Sequence, residues 1–239
     1  MAASFRWVIT GAGGGLGQAL VREALASPGT TFVAALSSSL DNSSASLQFS
    51  SEALQSGRLQ MYRCNYLEPD LTIQDNLVNL LRGSTPVFLI HNAGMLITHP
   101  KGSWDESAAR QMWEVNFWGP LRLTYALLPA LPSGSHIVNI GSMGGFQGSV
   151  KFPGLALYSA SKAALACWTE CMATELQPRG IRVNCLALGS VDTPMLRKAF
   201  PGYQSPVSPA AMAQFIIQFA IQGAALFNGK VIPVAVTTP

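Results

Sequence analysis

The stretch Thr10-Gly11-Ala12-Gly13-Gly14-Gly15-Leu16-Gly17 decides the fold of this 239-residue chain. It follows a short apolar run at 7–9 and precedes residues 18–26, which are rich in strong helix formers. A strand, a glycine turn and a helix in this order present free backbone N–H groups and the positive end of a helix dipole, which together favour a pyrophosphate. Glycine clusters after strands also form ordinary turns, so the stretch alone leaves that alternative open.

Apolar runs rich in β-branched residues alternate with helix-like stretches along the rest of the chain. This alternation is typical of a parallel sheet with helices on both faces. Besides 7–9, the strand candidates are 31–36, 87–90, 136–140 and 181–186, with weaker ones at 59–64 and 230–236. We therefore predict an α/β fold in which residues 1–239 form one domain around a single Rossmann-type, doubly wound parallel sheet of about seven strands.

Composition limits the partners that we expect. Charged residues make up 11% of the chain and hydrophobic residues 49%, so part of the surface is expected to be covered in a homodimer or homotetramer. The net charge of +3 comes without the Lys/Arg runs that nucleic-acid or polybasic membrane binding requires. Residues 1–6 lack the pattern of a signal peptide, which predicts a cytoplasmic protein.

The apolar segment 210–227 raises the question of a membrane span. Gln214, Gln218 and Gln222 recur every four residues and form one polar stripe, so we predict a packed amphipathic helix and no membrane insertion. The cysteines show no zinc-type spacing and the histidines are scattered, so we expect no metal site and buried free thiols. The cysteines are Cys64, Cys167, Cys171 and Cys185.

A tyrosine and a lysine four residues apart form the second informative feature. Tyr158 and Lys162 begin a helix-like stretch that runs to residue 177, so the phenol and the ammonium share a helical face. A phenol has a pKa of about 10, and a nearby cation stabilises the phenolate and lowers that pKa, which makes proton transfer easier near neutral pH. This spacing is also common in surface pairs, so the context has to decide.

Two polar residues upstream supply that context. Ser142 follows the strand candidate 136–140 at the carboxyl edge of the predicted sheet, where its hydroxyl could donate to a carbonyl oxygen or simply cap a turn. Asn116 lies within a helix-like stretch, where Asn is unfavourable, so we expect a specific polar partner or a buried structural amide.

Four motifs together resemble the short-chain dehydrogenase/reductase family over nearly the whole chain. The catalytic tetrad of that family matches, in the same order, Asn116, Ser142, Tyr158 and Lys162. Its Thr-Gly-x-x-x-Gly-x-Gly pattern matches the glycine stretch through Gly11, Gly15 and Gly17. The segment Asn92-Ala93-Gly94 matches a third motif, although His91 stands where the family usually has Asn. Residues 188–194 resemble its Pro-Gly-x-x-x-Thr segment, with Leu188 in place of Pro.

The resemblance implies a nicotinamide cofactor and assigns residues to it. The residues implied to bind the cofactor are Gly11, Gly15, Leu16, Gly17, Ser37, Asn65, Tyr66, Asn92, Ala93, Gly94, Tyr158, Lys162, Gly189, Val191 and Thr193. A long loop between Ser142 and Tyr158 and a short segment at 195–206 also look like the C-factor-like branch of the family.

The residues after the second strand candidate bear on which cofactor is bound. Dinucleotide folds that prefer NAD carry an acid there, whose charge repels the 2′-phosphate of NADP. This chain has Leu36-Ser37-Ser38 instead, which favours NADP(H) and leaves NAD(H) open, because the family's basic residue at position 37 is absent too. We expect the polar stretch 37–44 to be a loop that enters a weak helix.

We therefore predict an oxidoreductase in which a hydride passes between NAD(P)(H) and a ketone, aldehyde or alcohol, with Tyr158 as the proton-transfer residue. Phe146, Phe152 and Phe200 suggest an apolar small-molecule substrate. Two alternatives remain open: a dinucleotide-binding regulatory or redox-sensing protein without turnover, and an isomerase or epimerase that uses transient hydride transfer.

Overall fold

A parallel sheet of seven strands forms the centre of the computed structural model, which describes residues 4–38, 49–68, 71–99, 103 and 105–236. The strand order is β3-β2-β1-β4-β5-β6-β7. The strands are β1 (Phe5–Thr10), β2 (Thr30–Ser37), β3 (Leu59–Arg63), β4 (Val87–His91), β5 (His136–Ser142), β6 (Arg182–Leu188) and β7 (Val231–Val234). The order reverses between β1 and β4, and ligands bind at the carboxyl ends of the strands beside such a reversal. The predicted doubly wound parallel sheet is confirmed, including both weaker strand candidates.

Helices cover both faces of the sheet. Within the described residues they are α1 (Gly15–Ala26), α2 (Ser51–Gln55), α3 (Leu71–Leu80), α4 (Glu106–Trp113), α5 (Gly119–Leu127), α6 (Ala156–Leu176), α7 (Pro194–Ala199) and α8 (Pro209–Gln222). A π-helical turn, Glu114–Trp118, joins α4 to α5, and a short 3₁₀ turn, Met143–Gly145, follows β5. Single π-helical turns inside helices occur often at functional sites.

Each face of the sheet has its own buried cluster. The first packs under α1 and α8 and includes Trp7, Ile9, Leu20, Ile216 and Ile217. The second packs under α3, α5 and α6 and includes Val8, Leu89, Leu123, Leu165 and Met172. Since both faces of every central strand are covered, the strands read as continuous apolar runs in the sequence.

The predicted amphipathic helix near the C-terminus is α8, which ends at Gln222. Gln214, Gln218 and Gln222 are exposed, while Ile216 and Ile217 are buried, so the polar stripe faces outward as predicted. Among the described helices, none is long and apolar enough to cross a membrane.

The expectations for the cysteines and for the polar stretch after β2 have different outcomes. Cys167 and Cys171 lie on the exposed face of α6, so the prediction of buried thiols was wrong for this pair, whereas Cys185 is buried. Of the polar stretch after β2, Ser37 ends the strand, and residues 39–44 lie outside the described part of the chain.

The last strand, β7, forms one edge of the sheet. The main-chain oxygens of Lys230 and Val234 accept hydrogen bonds from the N–H groups of Cys185 and Gly189. Neighbouring residues of a strand direct their main-chain groups to opposite sides. The main-chain groups of Pro233 therefore face the open edge of the sheet, and Pro233 is exposed.

Candidate active site

A cavity of about 730 Å³ opens at the carboxyl ends of the strands, beside the reversal of strand order. With one exception, Asn116, every residue assigned from sequence to catalysis or cofactor binding lines this cavity. The sequence analysis did not assign several other lining residues, among them Ser38, Cys64, Met95 and Pro194. They come from the segments that follow β2, β3, β4 and β6, and only the three-dimensional path of the chain brings them together. The volume suits a cofactor or small-molecule site.

The glycine turn at one end of the cavity is held by close backbone contacts. Gly11 has φ +67°, and a Cβ there would lie 2.8 Å from the Cα of Ala93. A Cβ on Gly17 would lie 2.0 Å from the main-chain oxygen of Gly11. Any side chain at these two positions would therefore force the turn open.

The first turn of α1 faces this end of the cavity. No side chain caps its N-terminus, and no acidic residue lies in its first turn. Gly14 and Gly15 line the cavity, and the nearest atom to a Cβ built on either lies at least 3.5 Å away, which leaves space for a bulky group beside the backbone. Uncapped N–H groups, the helix dipole and this space fit the pyrophosphate of a dinucleotide.

The segment after β4 supports the glycine turn from beneath. The side-chain amide of Asn92 donates to the main-chain oxygens of Thr10 and Gly11, at 3.0 and 3.3 Å. The N–H of Ala93 donates to the Thr10 hydroxyl at 3.0 Å. Asn92 and Ala93 therefore fix the shape of the turn.

Three side chains meet at the opposite end of the cavity. Ser142 ends β5, and its hydroxyl accepts a hydrogen bond from the N–H of Gly144 at 3.1 Å. Tyr158 lies in the first turn of α6, and Lys162 lies one turn later. The Lys162 Nζ donates to the main-chain oxygen of Ile140 at 2.8 Å, so β5 holds both Ser142 and the ammonium in place.

Burial shifts the pKa of both titratable groups away from their charged forms. Lys162 is 3% exposed, and burial lowers the pKa of its ammonium to about 8. Burial of the Tyr158 hydroxyl raises the pKa of the phenol above 10, while the Ser142 hydroxyl lowers it. The helix spacing had predicted a lowered pKa for Tyr158. That prediction was wrong for the protein alone, because Lys162 is directed to the Ile140 carbonyl and desolvation dominates at the phenol.

Asn116 lies in the π-helical turn, fully buried behind the cavity wall. Its amide nitrogen donates to the Met95 main-chain oxygen at 2.9 Å and to the Ser161 hydroxyl at 3.0 Å, and its oxygen accepts from the Met95 N–H at 2.7 Å. The side chain thus connects the segment after β4 to α6 between Tyr158 and Lys162. Of the two possibilities left open by the sequence, it has the specific polar partners and is also a buried amide.

His91 and Asn139 are two further buried polar residues near Lys162. They are directly paired on β4 and β5. The His91 Nε2 is 2.7 Å from the Thr124 hydroxyl, and the Asn139 amide donates to the Thr169 hydroxyl at 2.8 Å. Burial, and then the charge of Lys162, lowers the pKa of His91 to about 3, so this ring is neutral at neutral pH.

Asn65, Tyr66 and Ser37, which are implied to bind the cofactor, line the cavity near the ends of β2 and β3. The side-chain oxygen of Asn65 accepts from the N–H of Leu67 at 3.1 Å, which fixes the turn after β3. Tyr66 is buried in the core cluster, and a Cβ on Gly119 would overlap its ring, so α5 begins with a glycine at the point of contact. Ser37 ends β2 at the rim of the cavity.

The remaining wall comes from the segment after β6. The N–H of Gly189 donates to the Val234 oxygen at 2.9 Å, and the Thr193 hydroxyl caps α7 by accepting from the Leu196 N–H at 3.3 Å. Phe152 and Phe200 line the cavity and meet edge to face, with ring centroids 5.4 Å apart. Phe146, the third aromatic residue expected near the substrate, is not among the lining residues.

Comparison with known proteins gives a consistent match. A family model described as short chain dehydrogenase matches residues 6–204. The protein named Short-chain dehydrogenase srdE of Neurospora crassa is 34% identical over 195 residues, which are 80% of this chain and 62% of that protein, so the chain spans less than two thirds of that relative. An uncharacterised oxidoreductase of Staphylococcus saprophyticus is 29% identical over 222 residues, or 90% of each chain.

Solved structures show the same fold. A short-chain dehydrogenase/reductase from Serratia marcescens superposes with a TM-score of 0.79 at 23% identity, covering 98% of this chain and 97% of that one. A dehydrogenase/reductase from Sinorhizobium meliloti has a TM-score of 0.77 at 28% identity, covering 98% and 94%. A short chain dehydrogenase from Burkholderia cenocepacia, solved in complex with NADP, has a TM-score of 0.77 at 24% identity, covering 98% and 97%.

Proposed function

Since this chain belongs to the short-chain dehydrogenase/reductase family, we propose that it is an NAD(P)(H)-dependent oxidoreductase that interconverts a ketone or aldehyde and the corresponding alcohol. One observation carries the proposal. Ser142, Tyr158 and Lys162 lie together at one end of a cavity whose other end is an uncapped helix N-terminus behind a glycine turn. One domain then holds both the cofactor and the substrate.

The protein's own residues would divide the work at the reacting oxygen. The bound nicotinamide supplies or accepts the hydride. Tyr158 gives its proton to the carbonyl oxygen during reduction and takes it back during oxidation. Ser142, on the end of β5, donates a hydrogen bond that orients and polarises the same oxygen.

Lys162 would hold the cofactor, and Asn116 would fix the positions of Tyr158 and Lys162. A protonated Lys162 can donate to the ribose hydroxyls of the cofactor. Both hydrogens of the Asn116 amide nitrogen go to Met95 and Ser161, so this nitrogen has none left to hold a water for proton return. We therefore assign Asn116 a positioning role, in which it fixes α6 and so the separation of Tyr158 and Lys162.

The residues that line the cavity support a choice of cofactor and of substrate class. Leu36, Ser37 and Ser38 line the cavity after β2, which we call its adenosine end because the adenosine ribose of a dinucleotide would lie there. None of the three carries a carboxylate, which favours NADP(H) over NAD(H). The Phe152 and Phe200 rings favour an apolar ketone or aldehyde. A homodimer or homotetramer and the narrower C-factor-like assignment remain predictions.

Turnover of a carbonyl panel tests the proposal. The wild type should oxidise NADPH in the presence of some aliphatic or aromatic ketone or aldehyde. Tyr158→Phe should lower that rate roughly a thousandfold and leave the NADPH dissociation constant within about twofold. Tyr125→Phe, at an exposed tyrosine on α5, is the matched control and should change neither.

The result also separates the proposal from a redox sensor. A sensor of the same fold would bind the cofactor and show the same negligible rate in the wild type and in Tyr158→Phe. An unchanged rate in an active Tyr158→Phe protein would refute the role of Tyr158.

A further inference from the structure

The end of β3 places an arginine next to Ser37, which lines the cavity at the end of β2. Ser37 ends β2, Arg63 ends β3, and the two residues are directly paired in the parallel ladder. Paired residues on neighbouring parallel strands, about 4.8 Å apart, direct their side chains to the same face of the sheet. The Arg63 side chain therefore projects beside that of Ser37, which lines the cavity.

The face in question is the one covered by α1. Two residues earlier on each strand, Ala35 and Met61 are also paired, and both pack in the cluster under α1. Side chains alternate along a strand with a period of two, so Ser37 and Arg63 lie on this same side. Gly14, which leads into α1, lines the cavity there.

The main chain fixes this position at the rim. Cys64 follows Arg63, lines the cavity, and donates its N–H to the main-chain oxygen of Ser37 at 2.8 Å. The backbone on both sides of the Arg63 side chain is therefore held against β2, while the side chain itself remains 68% exposed.

The guanidinium of Arg63 is also available for a stronger partner. Its ion pair is with Glu68, at 3.6 Å, and that side chain is 72% exposed. An exposed pair of this kind contributes little to stability, so its exchange for a phosphate is not strongly opposed. Arg58, by contrast, donates to the main-chain oxygens of Leu25 and Thr30 and is held in the fold.

We propose that Arg63 binds the 2′-phosphate of NADP(H), and that Glu68 weakens this affinity by competing for the guanidinium. The inference rests on the proposed dinucleotide function. A guanidinium offers two parallel N–H donors to a phosphate, which forms a short, charge-assisted pair. NAD(H) has a neutral hydroxyl at that position and gains nothing from the charge. Arg63 thus supplies from β3 the cation that the sequence lacks at position 37.

Titration of the full chain with NADPH and with NADH tests this assignment. Arg63→Gln should raise the NADPH dissociation constant roughly tenfold and leave that of NADH within about twofold. Arg63→Lys keeps the charge without the paired donors and should fall in between. Glu68→Gln should lower the NADPH dissociation constant about two- to threefold, with no effect on NADH.

Arg110→Gln is the matched control, because Arg110 is likewise exposed and paired with a glutamate, Glu106, but lies on α4 and not beside Ser37 at the ends of β2 and β3. It should leave both dissociation constants unchanged. An equal NADPH-to-NADH ratio in the wild type and Arg63→Gln, or a wild-type preference for NADH, would overturn the role of Arg63 and leave the proposed function standing. If the wild type binds neither dinucleotide, the proposed function fails and this assignment fails with it.

Discussion

Replacement of Lys162 by methionine should make the protein more stable at neutral pH, although it removes a residue proposed for catalysis. The ammonium is 3% exposed, and burial lowers its pKa from 10.5 to about 8. At 1.36 kcal/mol per pKa unit, this shift corresponds to about 3 kcal/mol of unfavourable free energy below pH 8. Methionine has a similar length and no charge, so it avoids that cost.

The substitution also loses one interaction. The hydrogen bond from Nζ to the Ile140 oxygen disappears, which costs about 1 kcal/mol. The free energy of unfolding should therefore rise by about 2 kcal/mol at pH 7. For a chain of this size, each 1 kcal/mol raises Tm by roughly 2–4 °C, so we expect an increase of roughly 4–8 °C.

The pH dependence has a definite sign. The unfolded chain keeps the Lys162 proton up to about pH 10.5, whereas the folded protein releases it near pH 8, so wild-type stability rises with pH across this window. Lys162→Met lacks this rise, and the gap between the two proteins should close by pH 10. Thermal denaturation without cofactor at pH 7 and pH 10 measures both effects.

Lys151, an exposed lysine, provides the control for the loss of a positive charge. Lys151→Met should differ from the wild type by less than about 0.5 kcal/mol at either pH. A Lys162→Met protein that is less stable than the wild type at pH 7, or a gap that stays constant up to pH 10, would refute the reasoning.

Other substitutions test separate parts of the site. Gly17→Ala places a Cβ 2.0 Å from the Gly11 oxygen, so titration should show at least roughly tenfold weaker NADPH binding. Ser142→Ala should lower kcat roughly a hundredfold with NADPH affinity unchanged, measured by steady-state kinetics. The pKa of His91 is lowered to about 3 in the folded protein. Below pH 6.5 the unfolded chain therefore binds a proton at this ring that the folded protein does not bind, so the stability of the wild type falls with acidification. Urea denaturation at pH 7 and pH 5 should show a smaller fall for His91→Asn; equal falls would contradict this.

Local patterns were sufficient to predict the fold and the two ends of the cavity. The glycine stretch lies between a strand and a helix that are adjacent in sequence, and Tyr158 and Lys162 are one helical turn apart. Their arrangement depends on backbone geometry within a few residues, which sequence reports directly.

Long-range contacts could not be predicted in the same way. The helix spacing gives no sign that Lys162 is bound to Ile140, and so the direction of the Tyr158 pKa shift was wrong. Arg63 was missed for a similar reason, because its position beside Ser37 exists only through the pairing of β2 with β3. The weak apolar pattern of 59–64 predicted a strand, but not its register.

The proline at the open edge of β7 determines how copies of this protein could associate. An incoming strand needs an N–H donor at every second residue of the edge it joins, and Pro233 has none at the centre of β7. Continuous strand addition from one molecule to the next is therefore interrupted at that point, which protects the fold from edge-to-edge aggregation. Contacts through this edge would have to be made by side chains instead of by backbone pairing.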